Sequence, residues 1–165
     1  MEFILIATIA FMIIISGAVL LRNYAVESSD NLAQRKITEA ANEILTKAKK
    51  MYFYGPPSKS VIKVDMPAQI EVFYTLSIMD NSEYYLVFNI ITSKGVKKHY
   101  FKSDIPLFSI GNTCDIAEEC SKGICKCFPD RAITEGVKNF EVKASTDCTQ
   151  VASCILIEEI SYKVT

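Results

Sequence analysis

The sequence predicts an α+β fold: a long N-terminal α-helix followed by an antiparallel β-sheet or sandwich head that carries a disulfide-stapled loop. Three observations lead there. The chain opens on a charge-free apolar run, FILIATIAFMIIISGAVLL, from Phe3 to Leu21. No Pro or Gly then occurs from Ala18 to Tyr54, and apolar residues in that interval recur at steps of three and four. After Gly55-Pro56-Pro57 the period switches to two, and all six cysteines fall in the last third of the chain.

The apolar run has nineteen residues, and only Thr8 and Ser16 in it carry a polar side chain. As a helix rising ~1.5 Å per residue it covers roughly 28 Å, close to the ~30 Å hydrocarbon thickness of a bilayer. A cleaved secretory signal is disfavoured, because only Met1 and Glu2 precede the run and neither supplies a basic flank. The small residues Ala7, Ala10, Ser16, Gly17 and Ala18 allow close helix approach, while Phe3, Ile4, Ile6, Phe11, Ile13, Ile14 and Leu21 supply bulk that can interlock.

The next interval places Ala33, Ile37, Ala40, Ala41, Ile44, Ala48, Met51 and Tyr52 on one helix face, with Glu39, Glu43 and Lys47 continuing at i,i+4 spacing elsewhere. A single helix from Glu2 to Phe53 would be roughly 78 Å long, far beyond the usual ~11 residues, and such a rod needs neighbours. Lys47, Lys49 and Lys50 suit the negative end of the helix dipole. Gly55, Pro56 and Pro57 then stop the helix and form the helix–head junction. The expected division is a helical unit over 1–54 and a β-rich head over 55–165.

In the head, strands are expected at Ser58–Met66, Glu71–Ile78, Tyr84–Thr92, Val96–Phe101, Val137–Ala144 and Cys154–Val164. Val72, Tyr74, Leu76 and Ile78 should share one face, as should Phe140, Val142 and Ala144, and Ile160, Tyr162 and Val164. Turns are expected at Asp80-Asn81-Ser82 and Ser93-Lys94-Gly95. Ile105 to Thr134 reads as an irregular loop, and its acids Asp115, Glu118 and Glu119 as solvated.

Cys114, Cys120, Cys125, Cys127, Cys148 and Cys154 are disulfide candidates, an even number in a small domain behind an export-like segment. Fifteen pairings are possible. Only Cys148–Cys154 is singled out, since those residues flank a short polar connection between two expected strands. The rival uses are a metal site across Cys114–Cys127, whose spacings do not match paired C-x-x-C knuckles, and a redox pair in Cys125-Lys126-Cys127. No metal or cofactor is expected.

A net charge of −1 with 22% charged residues gives no electrostatic case for nucleic acid. Enzymatic chemistry is not expected either. His99 is the only histidine and lies in an expected strand, and no P-loop or H-E-x-x-H occurs.

The apolar Phe3–Leu21, its amphipathic continuation to Phe53 and the junction Tyr54-Gly55-Pro56-Pro57-Ser58-Lys59 together resemble the archaeal type IV pilin-like subunits, a family exported with a class III signal peptide. The resemblance implies a homo-oligomeric helical filament with helices bundled in its core and β heads outside. It also implies membrane insertion before assembly, a prepilin peptidase that removes a leader, and pilus assembly machinery as partners. Two departures stand out. Bacterial relatives carry a Glu at the fifth mature position, where this chain has Leu5 and only Glu2 nearby. A basic leader is missing, and six Lys or Arg residues lie between Arg22 and Lys50 with none before Phe3, so the chain is expected to be a mature form whose leader has been removed. The alternative from a different class is a single-pass, membrane-anchored extracellular binding domain.

Overall fold

The computed structural model describes residues 2–78, 81–114, 120, 123–148 and 151–160, except the side chains of Glu2, Ile4, Leu5 and Ile6. Helix α1 runs unbroken over Glu2–Tyr54, 53 residues. It ends because Gly55 adopts a left-handed φ of 71°, which lets its N–H reach the carbonyls of Met51 and Tyr52, both at 3.1 Å. The Ser58 hydroxyl donates to the Met51 carbonyl at 2.9 Å, satisfying another acceptor in the last turn. The lysine cluster sits one turn earlier than a dipole role requires, since the last turn holds no basic residue. Lys49 instead pairs with Asp104 at 3.1 Å, and the Lys50 ammonium lies 5.8 Å from the Tyr54 ring centre.

The head follows as β1 (Lys59–Met66), β2 (Ile70–Ile78), β3 (Glu83–Thr92), β4 (Gly95–Ser103), β5 (Leu107–Ser109), β6 (Ile124–Cys127), helix α2 (Asp130–Ile133), β7 (Gly136–Ser145) and β8 (Cys154–Glu159). They form two four-stranded sheets, ordered β1-β7-β8-β5 and β4-β3-β2-β6. Pairing is antiparallel throughout except between β5 and β8, which run parallel.

The interval 105–134 is therefore more ordered than a loop. It contributes an edge strand to each sheet and the short α2, and each piece is too brief to show a period. Asp115, Glu118 and Glu119 lie outside the described residues, as do Asp80, Tyr162 and Val164. In β8 the inward residues are Ile155, Ile157 and Glu159, of opposite parity to Ile160, and the strand ends before Ile160, which is only half-buried. The face expected to be shared by Ile160, Tyr162 and Val164 lies, but for Ile160, outside the described residues.

One core joins helix and sheets. Ile37, Ala40, Ala41, Ile44, Ala48 and Met51 of α1 pack in the same cluster as Ile62, Val64, Met66, Phe140, Val142 and Ile157 from one sheet and Phe73, Leu86, Phe88 and Ile90 from the other. Phe73 lies at its centre, stacked between Phe88 at 4.2 Å and Phe128 at 3.9 Å with Phe140 edge-on at 6.0 Å.

The second sheet is covered on its outer side as well. Tyr74, Leu76 and Val87 are buried there with Cys114 and Cys125, and Val72 and Ile78 pack against them. Two disulfides, Cys114–Cys127 and Cys120–Cys125, hold this cover, and Cys148–Cys154 closes the connection into β8. Cys125 and Cys127 are thus bonded to different partners, which removes both the redox pair and the thiolate metal site.

Loop closure ranks these bonds. Cys114–Cys127 spans 13 positions and Cys148–Cys154 spans 6. Replacing both members by serine is expected to cost about 3 kcal/mol for the first pair and about 2 kcal/mol for the second. Chemical denaturation of the detergent-solubilised protein checks the order, and equal losses would count against it.

Candidate functional site

The first nineteen residues of α1 after Glu2, Phe3–Leu21, are apolar on every side. At about 100° per residue, Phe11, Met12, Ile13, Ile14 and Ile15 alone circle the helix, so no polar face remains to meet water. Phe3, Phe11, Ile13, Ile14 and Leu21 are all more than half exposed, with Phe3 at 87% and Leu21 at 72%. Ala7, Ala10 and Ala18 are exposed and Gly17 is half-exposed. Ile4 and Ile6 belong to the same turns of helix, and their side chains are outside the description. The helix is long and apolar enough to cross a membrane, and none of its most apolar stretch is buried within the chain. Leaving such side chains in water costs about 1.5 to 3 kcal/mol each relative to burial. Among the described residues nothing in the head covers them.

The small residues do not form one group. Ala7, Ala10, Gly17 and Ala18 fall within an arc of about 100° that also holds Ile14 and Leu21, whereas Ser16 stands about 180° from Ala7. Ser16 turns its hydroxyl onto its own helix, donating to the carbonyls of Met12 and Ile13, so it is satisfied without a neighbour. A Cβ added at Gly17 would meet nothing within 4 Å. Nothing among the described residues requires glycine there, although glycine costs a helix about 1 kcal/mol relative to alanine.

From Ser29 onward the same helix is clasped by the head. Gln69 Nε2 donates to Ser29 Oγ at 3.3 Å, Lys36 pairs with Asp65 at 2.7 Å, and Lys49 with Asp104. Asp30 accepts from both the backbone N–H of Ser93 at 3.0 Å and its hydroxyl at 2.6 Å, clamping the tip of the β3–β4 hairpin to the helix. From Ser29 to Met51 these contacts extend along about 33 Å of axis. At the far end Gly55 is half-exposed, and Pro56 and Pro57 are exposed beside Phe53 and Tyr54.

The Ser93 hydroxyl, and then its N–H, hold the Asp30 carboxyl below the usual carboxylate range, with Lys97 and Lys94 adding to the effect. Because the folded value is depressed, the clamp contributes above the unfolded value of 3.8 and is lost as pH falls through the lower folded value. Amide exchange at Ser93, corrected for its intrinsic pH dependence, is therefore expected to accelerate only below about pH 4. Acceleration beginning near neutrality would contradict the Asp30 clamp.

His99, in β4, is half-buried and shares a depression with Asn31, Gln34, Thr38 and Glu39 of α1. Burial first, and the charge of Lys97 second, push its imidazole below the ordinary histidine range, so it is neutral at pH 7. A separate cavity of about 480 Å³ lies beside Asp130, Arg131, Glu158 and Glu159, where Arg131 pairs with the buried Glu159 carboxylate. Among the described residues no group of three or more His, Cys, Asp or Glu is placed to hold a metal ion.

The feature that distinguishes this molecule is thus one unbroken helix that packs one face of its C-terminal half on its own head and whose apolar N-terminal stretch is left uncovered by the described residues. The chain matches no protein-family model, no curated protein and no solved structure, so the purpose of that exposed half rests on its own physical chemistry.

Proposed function

We propose that this chain is a structural subunit of a type IV pilin-like filament of the archaeal kind, polymerising through the apolar half of α1 with the β head outward. The observation that carries this reading is the continuity of α1. The helix passes without a break from the core of the head into a segment that none of the described residues covers. A monomer needs only a linker between a membrane span and its domain. A filament needs a stiff arm, because many identical arms must bundle while each head keeps a fixed position relative to its own arm.

The energetics favour the same reading. Lipid tails are about as apolar as Leu or Ile, so leaving the membrane for a bundle gains little from hydrophobic transfer, and close packing has to provide the preference. The face formed by Ala7, Ala10, Gly17 and Ala18, with Ile14 and Leu21 among them, gives another helix a place to approach. Three disulfides fit an oxidising, extracytoplasmic position for the head. In this account the membrane holds the subunit before assembly, a prepilin peptidase removes its leader, and dedicated assembly machinery adds it to the polymer.

Electron microscopy of material sheared from the surface of producing cells tests the class. Uniform thin filaments containing this chain are expected. Recovery only as a monomer from detergent-extracted membranes would defeat the filament reading in favour of a membrane-anchored binding domain.

A further inference from the structure

We propose that the tip of the β3–β4 hairpin is a second membrane-contact site, taking the anionic headgroups of phospholipids while the subunit waits in the bilayer. The inference rests on α1 crossing the membrane over Phe3–Leu21, and its test separates the two claims.

The hairpin lies lengthwise along α1. Asp104, just beyond β4, meets Lys49 near the far end of the helix, His99 faces Gln34 and Thr38, and Ser93 at the tip is fixed to Asp30. The tip is therefore the end of the hairpin nearest the apolar half of α1. Asp30 lies nine residues past Leu21, or about 14 Å along the axis.

The tip combines apolar and cationic surface. Ile91 and Val96 are cross-strand partners, and they are 54% and 52% exposed. Lys97, paired with the buried Ile90, projects from the opposite, helix-facing side, and with the exposed Lys94 it lines a cavity of about 660 Å³ together with Arg22 and with Val19 from the last turns of the apolar run. Two acids share that cavity, Glu27 and Asp30, and the Asp30 carboxylate is engaged by Ser93. Three cations thus face two carboxylates, so the cavity keeps a net charge of +1 (three minus two).

The position suits the lipid surface. Polar headgroups extend about 5 to 7 Å beyond the hydrocarbon on each side, and charges are felt over a further ~8 Å at physiological salt. A tilt of about 20°, ordinary for a single span, lowers the head on one side. Arg22 then lies among the phosphate groups and Lys94 and Lys97 within range of their charge, with Ile91 and Val96 on the other face of the tip, so apolar and basic side chains both lie at the end of the hairpin turned to the membrane.

The chain contains no tryptophan, so one introduced indole reports alone. Val96→Trp, Ile91→Trp, Phe11→Trp and Phe53→Trp variants of the full chain would be reconstituted in phosphatidylcholine–phosphatidylglycerol vesicles with brominated acyl chains. Phe11→Trp, within the span, is expected to be strongly quenched, and Phe53→Trp, at the far end of α1, not at all. Val96→Trp and Ile91→Trp are expected to be partly quenched, and about twofold less in the Lys94→Glu/Lys97→Glu background or in pure phosphatidylcholine. If Phe11→Trp is quenched while both hairpin indoles behave like Phe53→Trp, the hairpin proposal is overturned and the span stands. An unquenched Phe11→Trp overturns both. Quenching indifferent to lipid charge and to the lysines overturns headgroup recognition, and protection of Val96→Trp in filaments but not in vesicles assigns the tip to a second copy instead.

Discussion

Replacing Ile14 by lysine is expected to abolish filaments while leaving the head folded. Ile14 is 64% exposed, lies midway along the apolar run, and shares the arc of Ala10, Gly17 and Ala18. A lysine at the centre of a span costs about 2.5 to 3.5 kcal/mol on insertion scales. The same charge would recur in every subunit of a polymer, close to its symmetry copies and away from water. The first buried position of the helix–head core is Ala33, nineteen residues on, or about 28 Å along the axis. Circular dichroism and resistance of the head to protease should therefore match the parent protein. Ile14→Leu conserves volume and apolarity and is expected to restore filaments. Filaments of normal yield from Ile14→Lys would mean that this face is not packed in the polymer.

The second large effect is at the seam between helix and head. Ile44 is fully buried at 0% exposure in the core shared by α1 and both sheets. Truncation to alanine leaves a cavity and is expected to cost about 2 to 5 kcal/mol. That is a large share of the ~5 to 15 kcal/mol by which domains are stable. Leu32, on the same helix but 57% exposed, should tolerate alanine within about 0.5 kcal/mol. Denaturation of the detergent-solubilised chain reads both: the midpoint should fall for Ile44→Ala with an unchanged slope, and stay in place for Leu32→Ala. A small loss at Ile44 would imply that the helix is only loosely attached, which removes the rigid arm on which assembly depends.

The two halves of α1 were legible to different degrees. Ala33, Ile37, Ala40, Ala41, Ile44, Ala48 and Met51 are all buried, because a stripe with a 3.6-residue period has one available meaning when a sheet packs on it. Phe140, Val142 and Ala144 were equally plain, since β7 is inward on every second residue. In β2 the alternation of Val72, Tyr74, Leu76 and Ile78 suggests a single inner face, yet Phe73 to Ser77 are buried without interruption. The cover on the outer side comes from cysteines some forty to fifty positions later, a contact that no local period encodes.

Sequence distance decided the disulfides in the same way. Cys148–Cys154 closes a local connection, while the pairing of the other four follows from β6 lying beside β2 with Cys125 opposite Leu76 and Cys127 opposite Tyr74. The Asp30–Ser93 clamp joins residues 63 positions apart and had no local signature. In the apolar half, composition marked a segment needing cover, and helical geometry added what composition alone blurred: Ser16 leaves the small-residue face that Gly17 and Ala18 share.

The central claim is that the exposed half of α1 packs against the same segment of other subunits. The most direct measurement is site-specific photocrosslinking of the full chain, with a benzophenone side chain in place of Phe11 and, as control, in place of Val61 on the exposed side of β1. Irradiated surface-sheared material carrying the probe at Phe11 is predicted to give a ladder of covalent multimers whose crosslinked peptides map to residues 3–21 of a neighbouring copy, with the ladder absent from the Val61 control. Only lipid adducts and monomer from the Phe11 probe would contradict the account.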